Sequence, residues 1–557
     1  MIKTSDLVEP TDTNKPVVVP EPKKFEFTGK WFRFDGFKDF PDFLAREFNI
    51  PKGTWEISKV KGKGTGLRVN DGVVEVWGNE KIYYATLIQL IKQCKDRLPE
   101  VVIEEELRFK FRAFHLDIAR GGVPKVETFK SILRWLFLLK YNYFAIYFED
   151  LFPWKSYPQI GALRGRLTEA EWKEIVEYGE ELGIEVFPSL ELCGHMEHIL
   201  SIPEFTKFSE WHNPAEGCLN VSDEAAREFV YKLLEEALEL TSSNYVHIGG
   251  DETWALGRGR SLDETWRFEG PRLYEMHHRN LVELVRKRGK IPILWGDMIS
   301  GMYLRGARER WAEVLESDIW KKALIANWDY SPSPKEHFKE KIGIFKKKGL
   351  RQLACPGFSN WNRYYPNFDA ALENLRNFLS AAREEGIFGF MITAWGDDGE
   401  ECLFSFLYPL ILASMEIAEG VGTWERKWMA LTGEPEEVLK ARLLFGKQEV
   451  ADALKHILYS TIYFRRLDKS ALENIRSTWE RVLEGVKGVQ LPKDLDFIRL
   501  CLEVGLKKLK GKATVSDFIT LSRIYAELWL SERKPEGLER IVARLWGAAG
   551  RIDLSLP

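Results

Sequence analysis

The segment RAFHLDIARGGVPKVETFKSILRWLFLLKYNYFAIYFED, residues 112–150, contains two apolar runs on either side of a helical pattern. RAFHLDIA (112–119) and YFAIYFED (143–150) are rich in residues that favour β-strands, whereas KVETFKSILRWLFLLK (125–140) has apolar residues at helical spacing. Parallel strands need a crossover connection of this kind, usually a helix. The segment therefore predicts a strand–helix–strand unit with parallel strands.

The same unit recurs along the chain. Six further apolar runs are IEVFPSLEL (184–192), YVHIGGDE (245–252), PILWGDM (292–298), ALIANWDY (323–330), RQLACPGFS (351–359) and GFMITAWGD (389–397). Eight strands that alternate with helical patterns fit a closed barrel better than an open sheet. We therefore predict an α/β fold whose catalytic domain is a (β/α)8 TIM barrel over residues 108–423.

The sequence on either side of the predicted barrel has other patterns. Residues 1–24 are rich in Pro, Thr and charge, which predicts a flexible or loosely docked arm. Residues 25–107 combine short strands around an Asn-Asp-Gly turn with a helical segment, which predicts a small α/β domain. Residues 424–557 have only helical patterns, so we expect a helical domain that supports the barrel or forms the contact of a homodimer.

Composition excludes several classes of partner. The 557 residues carry a net charge of −4, which is unlike the basic surface of a nucleic-acid-binding protein. No apolar run reaches the roughly 18 residues of a membrane span, and the N-terminal residues do not resemble a signal peptide. We therefore expect no membrane contact and a cytoplasmic location. The six cysteines are scattered without a CxxC pair, which favours free thiols over disulfides or a zinc site.

Acidic and aromatic residues recur at the carboxyl ends of the predicted strands. Barrel enzymes of this kind build their active sites at that end. These residues are Asp117, Asp150, Glu191, Asp251, Glu252, Trp295, Asp297, Trp328, Asp329, Trp361, Trp395 and Asp397. Tryptophan faces also suit the apolar faces of sugar rings, and the chain has 20 tryptophans. The pattern indicates a site for carbohydrate, although core packing would account for many of the tryptophans.

Two adjacent acids, Asp251 and Glu252, follow Gly249 and Gly250. A turn with a helix cap would explain them without catalysis. A retaining glycosidase with two catalytic carboxylates holds them roughly 5–5.5 Å apart on opposite sides of the anomeric carbon, which suits adjacent residues poorly. The pair fits a reaction in which a 2-acetamido group of the substrate is the nucleophile. One acid then protonates the leaving oxygen while the other steadies the acetamide.

HIGGDE in the fourth strand, RAFHLDIAR in the first and ELCGH after the third resemble glycoside hydrolase family 20, the β-N-acetylhexosaminidases. FEDLFPW and AWGDDGEEC resemble a divergent bacterial branch of that family, and the resemblance covers most of the chain. It implies an exo-acting, retaining hydrolase that releases terminal GlcNAc or GalNAc from oligosaccharides through an oxazolinium intermediate. It also implies that no metal or other cofactor is needed.

The resemblance implies roles for individual residues. Glu252 matches the general acid/base, Asp251 the acid that orients the acetamide, and His195 a histidine in a charge network with both. Arg112 matches an arginine that binds ring hydroxyls. The remaining residues that we predict to bind substrate are Asp150, Trp295, Trp328, Trp361, Tyr364, Trp395 and Asp397.

Several assignments stay open at this point. Either Asp150 or Glu149 would join the network of His195, and His247 fits a core histidine better than a ligand. The family has a tyrosine at the seventh strand that donates to the acetamide carbonyl, and FSNWNRYYPN (358–367) offers Tyr364, Tyr365 or neither.

Further departures and alternatives concern the site as a whole. Glu191 stands where the family usually has Asp, and Asp117 and Arg120 are expected to form a structural ion pair. A barrel glycosidase for sugars without an acetamido group, or a sugar-binding protein without catalysis, is the alternative function.

Overall fold

The computed structural model describes residues 15–300 and 308–549. Its N-terminal part is a sheet with strand order β1–β5–β3–β4–β2, antiparallel except for the β2/β4 pair. The elements are β1 (Lys24–Arg33), α1 (Asp42–Phe48), β2 (Glu56–Lys59), β3 (Thr65–Asn70), β4 (Val73–Trp77), α2 (Glu80–Cys94) and β5 (Arg97–Glu105). Helix α2 is buried along most of its length because it lies between this sheet and the rest of the molecule.

The chain before β1 is packed in its described part. Val18 and Val19 are buried, and the Gln89 side chain accepts from the Val19 N–H and donates to the Val19 carbonyl. Lys427 of the C-terminal region pairs with Glu21 at 2.6 Å. The predicted flexible arm is therefore wrong for residues 15–24, because apolar side chains anchor them, and its first part, residues 1–14, lies outside the described residues.

A closed barrel of eight parallel strands forms the centre of the molecule. Its strands are β6 (Phe111–Asp117), β7 (Tyr143–Tyr147), β8 (Glu185–Ser189), β9 (Tyr245–His247), β10 (Ile291–Trp295), β11 (Leu324–Trp328), β12 (Gln352–Cys355) and β13 (Gly389–Ala394). Nearly every strand residue is buried, as expected where helices cover the outer face of a parallel sheet.

Helices of this barrel region surround the strands or lie in the loops between them. They are α3 (Val126–Leu138), α4 (Glu169–Leu182), α5 (Glu197–Leu200), α6 (Glu224–Glu239), α7 (Arg260–Thr265), α8 (Gly270–Lys287), α9 (Asp297–Ser300), α10 (Arg308–Leu315), α11 (Lys335–Lys346), α12 (Phe368–Glu384) and α13 (Tyr408–Glu419). Local sequence sets their ends: Thr168 and Glu171 form a capping box at the start of α4.

The C-terminal region is helical throughout its described part. Its helices are α14 (Glu425–Thr432), α15 (Glu436–Phe445), α16 (Gln448–Tyr459), α17 (Ile462–Arg465), α18 (Lys469–Gly485), α19 (Lys493–Leu509), α20 (Val515–Glu532) and α21 (Leu538–Ala549). Together with the barrel and the N-terminal sheet, this region confirms the predicted fold class. All six cysteines are buried and free. Within the described ranges, no helix has both the length and the apolar character needed to cross a membrane.

Candidate active site

Three non-glycine residues with left-handed backbone lie at the carboxyl ends of neighbouring barrel strands. Glu149 follows β7 with φ 47°, His195 follows β8 with φ 50°, and Glu252 follows β9 with φ 46°. Such strained conformations cost on the order of 1–3 kcal/mol each and cluster at functional sites. They mark the carboxyl end of the barrel, between β7 and β9, as the candidate active site.

Gly249 and Gly250 allow the chain to turn directly after β9, with φ 75° and 95°. A Cβ on Gly249 would lie 2.3 Å from Glu191 Oε2, and one on Gly250 would lie 2.8 Å from His278 Nε2. Glycine is therefore required at both positions by backbone conformation and by space. The turn brings the next two residues, both acids, to the same side of the site.

His195 lies beside both of these acids. Its Nε2 is 3.3 Å from Asp251 Oδ2 and 3.5 Å from Glu252 Oε2. Burial opposes a charge on His195, but Asp251 and Glu252 outweigh burial and raise the His195 pKa well above its ordinary value. Burial likewise opposes the charge on Asp251, yet His195 holds the pKa of Asp251 below its ordinary value. The centre is therefore a protonated histidine that faces a buried carboxylate, with half-buried Glu252 at its outer side.

Glu191 lies behind Asp251 and is fully enclosed. Burial, reinforced by the charge of Asp251, raises the Glu191 pKa well above its ordinary value. The protonated Glu191 carboxyl donates a hydrogen bond to Asp251, and the Trp295 Nε1–H donates to Glu191 Oε1 at 3.3 Å. Asp251 is thus held between a neutral acid and a cation.

Asp297 supports the other acid of the pair. Its Oδ2 accepts the backbone N–H of Glu252 at 2.9 Å, and its Oδ1 accepts the Trp328 Nε1–H at 3.2 Å. Burial, with the charge of Asp251, raises the pKa of Asp297 to about 7. Asp297 was visible in the sequence as an acid at the end of the fifth strand, but its contact with the Glu252 backbone depends on the turn at Gly250.

Arg120 forms the second charged centre of the site. It pairs with Asp117 at 2.9 Å, with Glu149 at 2.8 Å and with Asp397 at 3.2 Å. Its guanidinium also lies 5.6 Å from the ring centroid of Trp395. The Asp117–Arg120 pair expected from the sequence is present, and it extends to two further acids that face the site.

Arg112, predicted to bind ring hydroxyls, lies at the opposite end of the barrel. It is the second residue of β6, about 16 Å from Asp117 at roughly 3.3 Å per strand residue. Its Nε donates to the Lys140 carbonyl and its Nη1 to the Phe109 carbonyl, and the side chain is buried. The prediction for Arg112 is wrong, because the site lies where the strand ends; Arg120 occupies the expected place.

Asp150 points away from the site. Its carboxylate pairs with Arg164 beneath the loop that follows β7. Glu149 instead faces the site, where it pairs with Arg120. Its Oε1 accepts a hydrogen bond from the Tyr147 hydroxyl oxygen at 3.1 Å. The Tyr147 ring lies inside the barrel against His115 and Trp395, and strand alternation places Glu149, two residues later, on the same side. The prediction for Asp150 is therefore wrong, and the open choice falls to Glu149.

Tyr364 also lies outside the site. Its hydroxyl is hydrogen-bonded to that of Tyr459 under the C-terminal helices, and the side chain is fully buried. Tyr365 is equally buried and packs on Phe406. Neither can reach a ligand, so the prediction for Tyr364 is wrong. A tyrosine that does lie beside the predicted tryptophans is Tyr330, which follows β11.

The Tyr330 ring joins the predicted tryptophans. It stacks on Trp328 at 5.1 Å between centroids and lies 5.2 Å from Trp361, while its hydroxyl accepts the Trp395 Nε1–H at 2.7 Å. Trp328 and Trp361 are half-buried, Trp395 is buried, and Trp295 forms the fully buried floor beside His247. The structure therefore brings all four predicted tryptophans to this end of the barrel. Tyr330 could have been found from its position two residues beyond Trp328.

Among the described residues, two groups of side chains bring possible metal-ligand atoms within 4.8 Å of one another: His195 with Asp251 and Glu252, and Glu149 with Glu197 and His198. In the first group the protonated imidazole already faces the acids. In the second, Arg120 already binds Glu149. We assign no metal to either group.

Comparisons with known proteins agree with this geometry. A profile described as "Glycosyl hydrolase family 20, catalytic domain" matches residues 109–419, more than half of the chain. Hexosaminidase D of Homo sapiens is 26% identical over 303 residues, which cover 52% of this chain and 60% of that protein. A beta-hexosaminidase of Vibrio furnissii is 31% identical over 205 residues, which cover 30% of this chain and 33% of the relative. The chain thus matches less than two thirds of the length of either relative.

A solved structure extends the likeness in fold beyond the barrel. The X-ray structure of Flavobacterium johnsoniae chitobiase aligns with a TM-score of 0.59 and 16% identity, over 94% of this chain and 99% of that chain. At this identity the likeness shows a common fold only. The matched profile, however, spans the whole barrel with its acid pair and histidine, and the chain belongs to glycoside hydrolase family 20.

Proposed function

We propose that the protein is an exo-acting, retaining β-N-acetylhexosaminidase that releases terminal GlcNAc or GalNAc by substrate-assisted catalysis. The observation that carries the proposal is the position of the two acids: both Asp251 and Glu252 lie within 3.5 Å of the same His195 nitrogen. Carboxylates gathered on one side cannot straddle an anomeric carbon as a two-carboxylate glycosidase requires. The nucleophile is then the acetamide oxygen of the substrate.

In the first step Glu252 donates its proton to the glycosidic oxygen and the acetamide oxygen bonds to the anomeric carbon, as the glycosidic C–O bond breaks and the leaving group departs as an alcohol. Glu252 suits this role because it is half-buried at the outer side of the site, where a leaving group can depart. In the second step the Glu252 carboxylate takes a proton from water, whose oxygen opens the oxazolinium ring. Two inversions at the anomeric carbon give overall retention.

Asp251 accepts the acetamide N–H and stabilises the positive charge that develops on the nitrogen. Its ionised state is supported by His195 and by the hydrogen bond from protonated Glu191. A preorganised charge aimed at a developing opposite charge is usually the largest electrostatic contribution to catalysis. Tyr330 donates a hydrogen bond to the acetamide carbonyl, the role that the family resemblance implies for a tyrosine. Tyr364 cannot have this role because it is buried under the C-terminal helices.

Arg120 and Asp397 bind the outer hydroxyls of the terminal sugar. The Arg120 Nη1 and Asp397 Oδ1 atoms lie 3.2 Å apart, so the two side chains form one continuous hydrogen-bonding surface, here called the Arg120–Asp397 edge, and Asp397 is half-exposed. The tryptophans of the site, with Trp395 beside Arg120, provide the apolar wall for the sugar ring. Arg120 therefore replaces Arg112 in the proposed substrate-binding set.

Replacement of either acid tests the proposal. We expect Glu252→Gln and Asp251→Asn each to lower kcat on an aryl β-GlcNAc by about 10²–10⁴-fold with folding intact. Asp318→Asn, a change at an exposed acid paired with Lys321, is the matched control and should leave kcat unchanged. Near-normal turnover by Glu252→Gln would refute the assignment.

Substrate comparison separates this function from its alternatives. Substrate assistance requires aryl β-GlcNAc to be turned over while the aryl β-glucoside is not, and a thiazoline analogue to inhibit. Equal turnover of both glycosides would indicate a conventional β-glycosidase. Binding of GlcNAc without turnover of any aryl glycoside would indicate a sugar-binding protein.

We further propose a cytoplasmic location and a homodimer. The support is the six buried, free cysteines for the first, as expected of a reducing compartment, and the large helical region for the second. Cell fractionation and light scattering of the purified protein test these two proposals.

A further inference from the structure

Residues 396–402, here called the 396–402 loop, follow β13 and reach from the candidate site to the C-terminal helices. Asp398, Gly399 and Glu400 have left-handed backbone, with φ 61°, 118° and 61°. Two non-glycine residues, Asp398 and Glu400, share this strained region with Gly399, which lies between them. A segment with this conformation needs strong external contacts to persist.

On its barrel side the loop belongs to the candidate site. The Gly396 N–H donates to Asp117 Oδ2 at 2.9 Å, and the next residue, Asp397, pairs with Arg120. These contacts place the loop against the Arg120 guanidinium, which also pairs with Glu149. The position of the 396–402 loop therefore determines where Asp397 meets a substrate.

On its other side the loop is held by two cations of the helical region. Lys455 of α16 pairs with Asp398 at 3.1 Å and with Glu401 at 3.0 Å, and Arg544 of α21 pairs with the same acids at 3.0 Å and 2.7 Å. Both cations also donate to the backbone carbonyl of Asp398, the residue that directly follows Asp397. Lys455 and Glu401 are buried, so their ion pair lies where most water is excluded, whereas the Asp398 carboxylate is exposed.

Three further donors from the helical region bind the same part of the barrel. Arg533 donates to the Glu400 and Cys402 carbonyls, and the Tyr525 hydroxyl donates to the Glu401 carbonyl at 2.8 Å. Arg540 donates to the carbonyl of Arg120 at 2.9 Å. The helical region thus binds the backbone carbonyl of Arg120 and several backbone carbonyls of the 396–402 loop, which contains Asp397.

We propose that Lys455 and Arg544 are positioning residues for substrate binding, and that the helical region is thereby part of the catalytic unit. They hold the 396–402 loop so that Asp397 and Arg120 present one fixed edge to the outer hydroxyls of the terminal sugar. This inference rests on the proposed function of that edge.

The kinetic test compares Arg544→Met and Lys455→Met with Arg499→Met. Arg499 is the matched control, since it also pairs with two acids, Asp496 and Glu503, on a helix of the same region. The substrates are an aryl β-GlcNAc and its 4-deoxy and 6-deoxy analogues. We expect the Arg544 and Lys455 variants to lose about tenfold in kcat/KM on the parent, mainly through KM, and much less on at least one deoxy analogue.

A general loss of folding would lower kcat/KM by the same factor on all three substrates. A difference between the substrates therefore separates a positioning role from a purely structural one. Arg544→Lys, which keeps the charge but not the forked geometry, should restore part of the loss. Equal losses on all three substrates, or losses matched by Arg499→Met, would overturn the inference.

Hydrogen–deuterium exchange tests the same inference without catalysis. Residues 396–402 should lose protection in Arg544→Met, with the peptide around Asp251 and Glu252 unchanged, while Arg499→Met changes neither. Unchanged protection of the loop would overturn the inference whatever the kinetics show. If the unmodified protein does not turn over the aryl β-GlcNAc, the proposed function fails, and loop protection alone then decides whether Lys455 and Arg544 hold the loop.

Discussion

Asp251 is controlled by two neighbours of different charge. His195 is cationic and stabilises the carboxylate directly, whereas Glu191 is neutral and stabilises it by donating a hydrogen bond. A carboxylic acid that stays protonated because burial and a nearby anion disfavour its charge is an effective hydrogen-bond donor. Glu191, which stands where the family usually has a shorter acid, thus serves as a donor in the interior.

Replacements at Glu191 test its protonated state. In Glu191→Gln the amide can still donate to Asp251 and accept from Trp295, so we expect kcat on an aryl β-GlcNAc to stay within about threefold. Glu191→Leu leaves the Asp251 oxygen and the Trp295 N–H without partners, which should cost about 1–3 kcal/mol of stability and lower kcat strongly.

An ionised Glu191 would give a different result. If Glu191 were ionised in the folded protein, an uncharged glutamine would alter the charge balance around His195. The pH profile of kcat would then shift in Glu191→Gln, which we do not expect. Activity assays over a pH series, with thermal melting of each variant, make the measurement.

Arg112 and Tyr364 were placed wrongly from the sequence for two different reasons. Arg112 and Arg120 belong to the same motif, and only the position of the strand end distinguishes the floor of the barrel from its mouth. Tyr364 was one candidate for the tyrosine that the family has at the seventh strand, but the C-terminal helices enclose it. Local pattern identified the acid pair and the tryptophans because each ends a strand or lies in the turn that follows one. It could not reveal the direction of a side chain that distant helices determine.

At the scale of elements, the alternation of strands and helices predicted the barrel because parallel pairing and crossover helices follow from short-range patterns. The turns after the strands are harder to predict. The chain after β7 turns at left-handed Glu149, and this residue, two positions beyond the inward-facing Tyr147, lies in the site in place of Asp150. The Gly249–Gly250 turn has the corresponding role after β9, where the close contacts of both glycines determine the direction of the acids.

The turn after β9 is therefore sensitive to one added carbon. In Gly250→Ala the new Cβ would lie 2.8 Å from His278 and 2.9 Å from the Tyr274 hydroxyl, in a backbone conformation with φ 95°. The Tyr274 hydroxyl also donates to the Gly250 carbonyl, so the contact cannot relax without loss of that bond. We expect a destabilisation of about 2–4 kcal/mol and a large loss of kcat because Asp251 moves.

Gly289→Ala is the matched control for that prediction. Gly289 also has a left-handed backbone, φ 74°, but no atom lies within 4 Å of an added Cβ. It should therefore show only the backbone strain, about 1–2 kcal/mol, with unchanged kcat. Thermal melting and activity of the two variants separate crowding from strain. Similar losses of activity in both would contradict a specific role for the turn.

At the scale of the whole molecule, the helical region and the barrel share buried polar contacts as well as a continuous apolar core. Glu532 and Arg533, at the end of α20 and just beyond it, lie at the centre of this interface. The Glu532 carboxylate accepts the backbone N–H groups of Phe404 and Ser405, and its carbonyl accepts that of Lys125. These contacts satisfy backbone groups of the barrel loops, so the barrel would expose unpaired groups without the helices.

The shared interface predicts that barrel and helical region unfold together. Arg533 is fully buried between the rings of Phe404 and Trp529, at 4.1 Å and 4.5 Å from their centroids, and donates to two barrel carbonyls. In Arg533→Met those carbonyls lose their donors, so we expect the whole protein to lose about 3–5 kcal/mol. Calorimetry should show one transition in the unmodified protein and one transition at lower temperature in Arg533→Met.

Lys493→Met is the control variant, because Lys493 forms an exposed ion pair with Glu527, and it should leave the temperature of the transition unchanged. A separate early transition for the helical region in Arg533→Met would show that the two parts fold independently, and would contradict a single cooperative unit.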